Sequence, residues 1–144
     1  MSTEVNPRVE MLRKMIGTDP DFWPFPIPKF LKMQLLEVEE GFVKAKFVVQ
    51  KEWLNPLNIM HGGILATLMD ELMGVGSYTL NRPNGHASIN MNIDFLYGAK
   101  EGDVLIAEGV LLRKGKKIVH AEAKVWNEAG TLIAKSSSNL AVVG

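Results

Sequence analysis

Residues 55–71 read Asn55-Pro56-Leu57-Asn58-Ile59-Met60-His61-Gly62-Gly63-Ile64-Leu65-Ala66-Thr67-Leu68-Met69-Asp70-Glu71. The stretch opens with turn chemistry, because Asn-Pro and a second Asn bias the backbone away from helix. His-Gly-Gly follows, and then a run that is apolar almost all round. A run of this kind and length predicts a helix buried on every side, from about His61 to Thr79. Glycines at its start cost the helix entropy. They also let another group approach the backbone where the first N–H groups lack internal partners and the dipole favours negative charge. About two turns in sits a carboxylate, Asp70. A polarising helix start and a buried acid are the parts of an acyl-transfer site.

Upstream, Val9, Leu12 and Ile16 recur at helical spacing behind an Asn6 cap and Pro7, and Gly17 closes that helix. The run Trp23-Pro24-Phe25-Pro26-Ile27-Pro28 reads as an extended apolar strap that covers the sheet, with a pocket wall as the other reading. Phe30 to Glu37 and Phe42 to Gln50 are expected as strands joined by Glu39-Glu40-Gly41. In the second, Val43, Ala45, Phe47 and Val49 alternate with Lys44 and Lys46. Downstream, Ser88 to Tyr97 is a strand with Ile89, Met91, Ile93 and Phe95 on one face. Ser88, Asn90, Asn92 and Asp94 fall on the other. Val104 to Leu112, Ile118 to Trp126 and Thr131 to Val143 complete the strands, with a basic hairpin turn at Arg113–Lys117. This order predicts a single α+β domain over residues 1–144, with residues 1–29 as an extension. An antiparallel sheet wraps the one helix greasy enough to fill it.

Composition removes several function classes. Sixteen basic and sixteen acidic residues give a net charge of zero, which argues against nucleic acid or an anionic membrane as the main partner. The absence of cysteine removes disulfides and thiolate chemistry. His61, His86 and His120 are scattered without metal-ligand spacing, so no metal is expected. There is no Gly-x-Ser-x-Gly elbow and no dinucleotide fingerprint. Met1 to Asn6 does not read as a secretory signal and no apolar run is long enough to span a bilayer, so a cytoplasmic protein is expected.

The element order, with Asn55-x5-His61-Gly62-Gly63 and then Asp70, resembles the hot-dog fold thioesterases of the PaaI-like branch, from about Met33 to Val142. The resemblance implies acyl-CoA hydrolysis with no cofactor beyond the coenzyme A of the substrate. It implies that Gly62 offers its N–H to the thioester carbonyl and that Asn55 helps hold the carbonyl or the water. His61 would brace the helix start, with Gly63 beside it at the substrate. Asp70 would be the base or the nucleophile, and Ser88 would orient water. One departure is Asn58, where many members have glycine; Asn tolerates a left-handed backbone best after glycine.

Gly62 and Asp70 are eight residues apart, so one helix holds them about 12 Å apart along its axis. One chain cannot bring both to one carbonyl. Two antiparallel neighbouring helices can, which predicts a homodimer with composite sites, and a dimer of such dimers stays open. Glu71, about 100° round the helix from Asp70, reads as structural or rim-facing. Arg113, Lys114, Lys116 and Lys117 could grip the phosphates of coenzyme A; the blander reading is a solvated hairpin tip. Two rival functions are a non-catalytic acyl-thioester binder, which would need no placed acid, and a hydratase, whose Asp-His pair is not found. The acyl group stays open, since Met-rich walls adapt to aryl and aliphatic chains alike.

Overall fold

The computed structural model describes residues 5–143, so residues 1–4 and 144 of the expected domain lie outside the described residues. Three helices, α1 (Pro7–Arg13), α2 (Pro26–Phe30) and α3 (Gly62–Tyr78), accompany six strands. These are β1 (Gln34–Glu39), β2 (Phe42–Val48), β3 (Gly85–Phe95), β4 (Val104–Lys114), β5 (Ile118–Asn127) and β6 (Leu132–Val143). All strands pair antiparallel in one sheet of order β1-β2-β4-β5-β6-β3. One face of this sheet packs on α3, which touches every strand from β2 to β6. That is the α+β hot-dog arrangement the sequence predicts.

The packing follows from the alternation. Val43, Ala45 and Phe47 of β2, Leu105 and Ala107 of β4, and Ala121, Ala123 and Val125 of β5 point at the helix and are buried. The helix answers with Leu65, Leu68, Met69, Leu72 and Met73, each buried. Burial of one such side chain contributes roughly 1.5–3 kcal/mol. At Gly109 a Cβ would stand 2.9 Å from the Leu72 carbonyl oxygen, so glycine lets β4 press directly onto the helix backbone.

The far end of α3 is tied by upstream residues. Asn6 caps α1 by accepting from the Arg8 and Val9 N–H groups, as the sequence predicts, and its Nδ2 donates to the Thr79 carbonyl at 2.7 Å. Arg8 donates to the Tyr78 carbonyl and lies over the Tyr78 ring. Two donors, one of them a cation, thus meet carbonyls that the helix itself leaves without partners.

Several expectations need correction. The first helix ends at Arg13 rather than running through Ile16 to Gly17. The Pro-rich strap Trp23–Pro28 turns helical from Pro26, where α2 begins, rather than staying extended throughout. Pro26 and Pro28 fall in the first turn of α2, where N–H groups have no intrahelical partner, so their missing donors cost nothing there. The first strand begins at Gln34 and not at Phe30, which ends α2. The basic hairpin is tighter than Arg113–Lys117, because β4 runs on to Lys114 past a bulge between Leu111 and Arg113. Among the described residues no helix is long and apolar enough to cross a membrane.

Candidate active site

The loop before α3 is held by its own polar groups. Asn55 Oδ1 accepts from Leu57 N at 2.9 Å and Ile59 N at 3.3 Å, while Asn55 N donates to Ile59 O. Asn58 takes φ +62°, the left-handed backbone that its position requires. These bonds occupy the Asn55 carbonyl oxygen and leave its Nδ2 without a partner among the described residues.

His61 then caps α3. Its N–H donates to Trp53 O at 2.7 Å, and its carbonyl accepts from Ile64 N and Leu65 N. Its Nδ1 accepts from Gly63 N at 2.8 Å, so the ring hydrogen sits on Nε2. Three of the four N–H groups at the helix start are therefore satisfied by one residue. The fourth, on Gly62, has no partner among the described residues. It lines a cleft of about 290 Å³ together with Asn55, Leu65, Phe95 and Tyr97. The Phe95 ring lies 3.3 Å from where a Gly62 Cβ would stand, which keeps the backbone bare on that side. An unpaired N–H at the positive end of a 17-residue helix is suited to an oxygen that gains negative charge.

Asp70 belongs to a different opening. The expectation of a helix buried on every side fails here: Asp70 and Gly63 are exposed, and Ala66, Thr67 and Gly74 are half-buried. Small and polar residues recur along this flank, and β3 beside it is the sheet edge, so within one chain nothing covers it. Ser88 Oγ donates to Asp70 Oδ1 at 2.9 Å, and both line a cleft of about 350 Å³ with Thr67, Ile89 and Met91.

This contact exists because β3 is not regular. Ser88 pairs with Leu140 and Asn90 with Asn139, so Ile89 is an extra residue with no partner. The bulge shifts the alternation, and Ser88 shares the helix-facing side with Met91 and Ile93 instead of lying on the Asn90 side. Glu71 is half-buried, and its carboxyl is pushed above the usual range, first by burial and then by the Asp70 charge.

The structure thus sorts the sequence candidates into three places. Asn55, His61, Gly62 and Gly63 gather at the start of α3, with the Gly63 N–H committed to His61. Asp70 and Ser88 pair about two turns along. Arg113, Lys114, Lys116 and Lys117 are exposed at the opposite end of the helix, where Leu111 N donates to Gly41 O and Gly41 N to Thr79 Oγ1. Arg82 ties that tip down through the Lys114 and Gly115 carbonyls. Among the described residues no group of three or more metal-ligating side chains comes together. Sequence reading did not single out Phe95, Thr67 or Asn90. Phe95 carried a signal as the last apolar residue of its strand face; the other two carried none.

Comparison with known proteins agrees with this fold. A family profile described as the Thioesterase superfamily matches residues 57–134. Human acyl-coenzyme A thioesterase 13 is 30% identical over 105 residues, which cover 72% of this chain and 75% of that protein. A Streptococcus mutans protein solved bound to acetyl CoA superposes with a TM-score of 0.74 at 25% identity, covering 78% of this chain and 89% of that one. The fold of the Escherichia coli PaaI protein from the phenylacetic acid degradation operon matches 98% of this chain and 97% of its own, with a TM-score of 0.81 at 20% identity. With more than half of its length matched by the profile, the chain belongs to the thioesterase superfamily.

Proposed function

We propose that this protein hydrolyses acyl thioesters of coenzyme A, releasing a free acid and the thiol. The uncommitted Gly62 N–H, at the start of a helix whose other three leading N–H groups are taken, carries this reading. It offers a polarising donor to a thioester carbonyl, and the free Nδ2 of Asn55 offers a second from the same cleft. Asp70, bonded to Ser88, supplies the acid. As base it takes a proton from water while the water oxygen attacks the carbonyl carbon. The negative charge passes to the carbonyl oxygen at Gly62, then returns to break the C–S bond and release the thiolate, which takes up a proton. As nucleophile its oxygen attacks the carbon directly and the C–S bond breaks to release the thiolate, which takes up a proton; water then hydrolyses the mixed anhydride to the free acid and the Asp70 carboxylate.

The two halves of this chemistry open into different clefts of one chain, so we place them together only in a two-fold dimer. Each Gly62 would meet the Asp70 of the other copy. The exposed flank of α3 and the free edge of β3, with Ile89, Phe95 and Tyr97 exposed beside it, support a second copy as the missing cover. The acetyl CoA held by the Streptococcus mutans relative supports the thioester class, and the acyl group remains the variable.

The test is hydrolysis of a panel of aryl, short and long acyl-CoAs with free-thiol detection. Asp70→Asn is expected to keep the fold and substrate binding while kcat falls by about 10²-fold or more. Binding without turnover by the native protein, across the whole panel, would make it an acyl-thioester binder instead. Near-native rates for Asp70→Asn would remove Asp70 from the reaction.

A further inference from the structure

The bulge that aims Ser88 at Asp70 is held by side chains from three strands. Asn90, on its downstream side, accepts at Oδ1 from both the backbone N–H and the Nδ2 of Asn139, at 3.1 and 3.2 Å. The Asn90 carbonyl accepts from Ser138 Oγ at 2.7 Å. His120 on β5 meets Asn139 Oδ1 through Nδ1 at 2.8 Å. Since Asn139 Nδ2 is used as a donor, its Oδ1 must accept here, so His120 Nδ1 carries the hydrogen. Ser138 Oγ is buried and Asn139 and His120 are half-buried, so these groups are costly to leave unpaired.

We infer that the chain His120–Asn139–Asn90, with Ser138, is a positioning device that locks the β3 bulge and thereby holds Ser88 on Asp70. The physical logic is the period of a strand. Successive side chains alternate between faces, so Ser88 faces α3 only while Ile89 stays out of the ladder. A ladder break strands backbone groups that need partners. Asn90 Oδ1 receives the Asn139 N–H, and Ser138 Oγ serves the Asn90 carbonyl. Without these partners the regular ladder recovers its advantage. Ile89 would then take a place in it, and Ser88 would rotate to the outer face, away from Asp70. His120 and Asn139 lie on that outer face and need not touch substrate to act. They work through the position of Ser88.

The kinetic arm of the test rests on the thioesterase reading, while the structural arm does not. Asn90→Ala is expected to lower kcat by about 10- to 100-fold with KM within about twofold of native, the size expected for a misplaced group at the reacting centre. Asn90→Asp keeps the Oδ1 acceptor and should restore most of the rate. The double variant Asn90→Ala/Ser88→Ala should be no slower than Ser88→Ala, because both changes remove the same contact. A crystal structure of Asn90→Ala should show β3 paired regularly and Ser88 Oγ beyond hydrogen-bond distance of Asp70. Where Asn90→Ala fails to fold, Asn139→Ala takes its place, since it keeps the backbone N–H bond while removing the Nδ2 and His120 links. Multiplicative losses in the double variant, or a variant structure that retains both the bulge and the Ser88–Asp70 bond, would overturn the inference. If the native protein cleaves no thioester, the functional reading fails and the variant structure alone decides the bulge.

Discussion

Two inactive variants of this protein should form an active one when mixed. Along α3, Gly62 and Asp70 are separated by about 12 Å, against a hydrogen-bond reach of about 3 Å. On the proposed reading, a carbonyl bonded to Gly62 would therefore meet only an Asp70 from another chain. The first variant is Asn55→Asp, chosen because an aspartate keeps the oxygen that accepts from Leu57 N and Ile59 N while losing the Nδ2 donor. The second is Asp70→Asn. In a mixed dimer one site holds both changes and the other holds neither. Random pairing of equal amounts makes about half the dimers mixed, each with one native site, so about a quarter of native activity should return. The assay is thiol release after unfolding, mixing and refolding, with refolded native protein as the yield control and native mass measurement to count mixed dimers. Activity no higher than that of the parents, with mixed dimers present, would show that each site is built within one chain. The spacing argument would then be refuted.

Replacing Lys116 and Lys117 with Ala should raise KM for acyl-CoA about threefold to tenfold and leave KM for a short thioester lacking the nucleotide unchanged. An equal effect on both substrates makes the hairpin tip a solvated turn and nothing more. Glu71 gives a pH signature. Its folded-state pKa lies above the unfolded value, so its protonated form favours folding, and that contribution is full below the ordinary carboxylate value of 4.5. The contribution is lost as pH rises from that ordinary value through the raised folded one. Glu71→Gln should therefore raise the urea midpoint relative to native at neutral pH, with the gap closing as pH falls toward 4.5. A gap that stays constant with pH would mean the carboxyl is not destabilised by burial.

Most of the architecture was readable because it follows from local pattern. The central helix lies within a residue of the expected His61–Thr79, since turn chemistry marks its start and its length leaves no strand alternative. Alternation placed β2, and the basic hairpin turn between two strand-length runs placed β4 and β5. Candidate residues at the helix start were legible for a similar reason: capping and orphaned N–H groups are consequences of sequence order. Features that need distant partners were not legible. The bulge at Ile89 depends on Ser138 and Asn139, nearly 50 residues away, and nothing in Ser88-Ile89-Asn90 announces it. The exposure of Asp70 depends on β3 being an edge strand, a matter of sheet order rather than of hydropathy. The short helix at Pro26–Phe30 was hidden because proline content argues against helix everywhere except in a first turn.

The sheet order also sets a timetable for synthesis. β3 has a single neighbour in the sheet, β6, the last strand. A ribosome adding ~5–20 residues per second needs about 2–10 s to go from Phe95 to Val143. For that interval β3 has neither a strand on its inner side nor the Asn90 bonds to Ser138 and Asn139 that close the ladder break. The nascent chain carries an unpaired strand bearing Ile89 and Phe95, the kind of segment that chaperones bind and aggregates recruit. Slow codons placed between β3 and β6 would lengthen this exposure and lower the yield of folded protein. Synonymous changes confined to the stretch before β1 would leave it untouched.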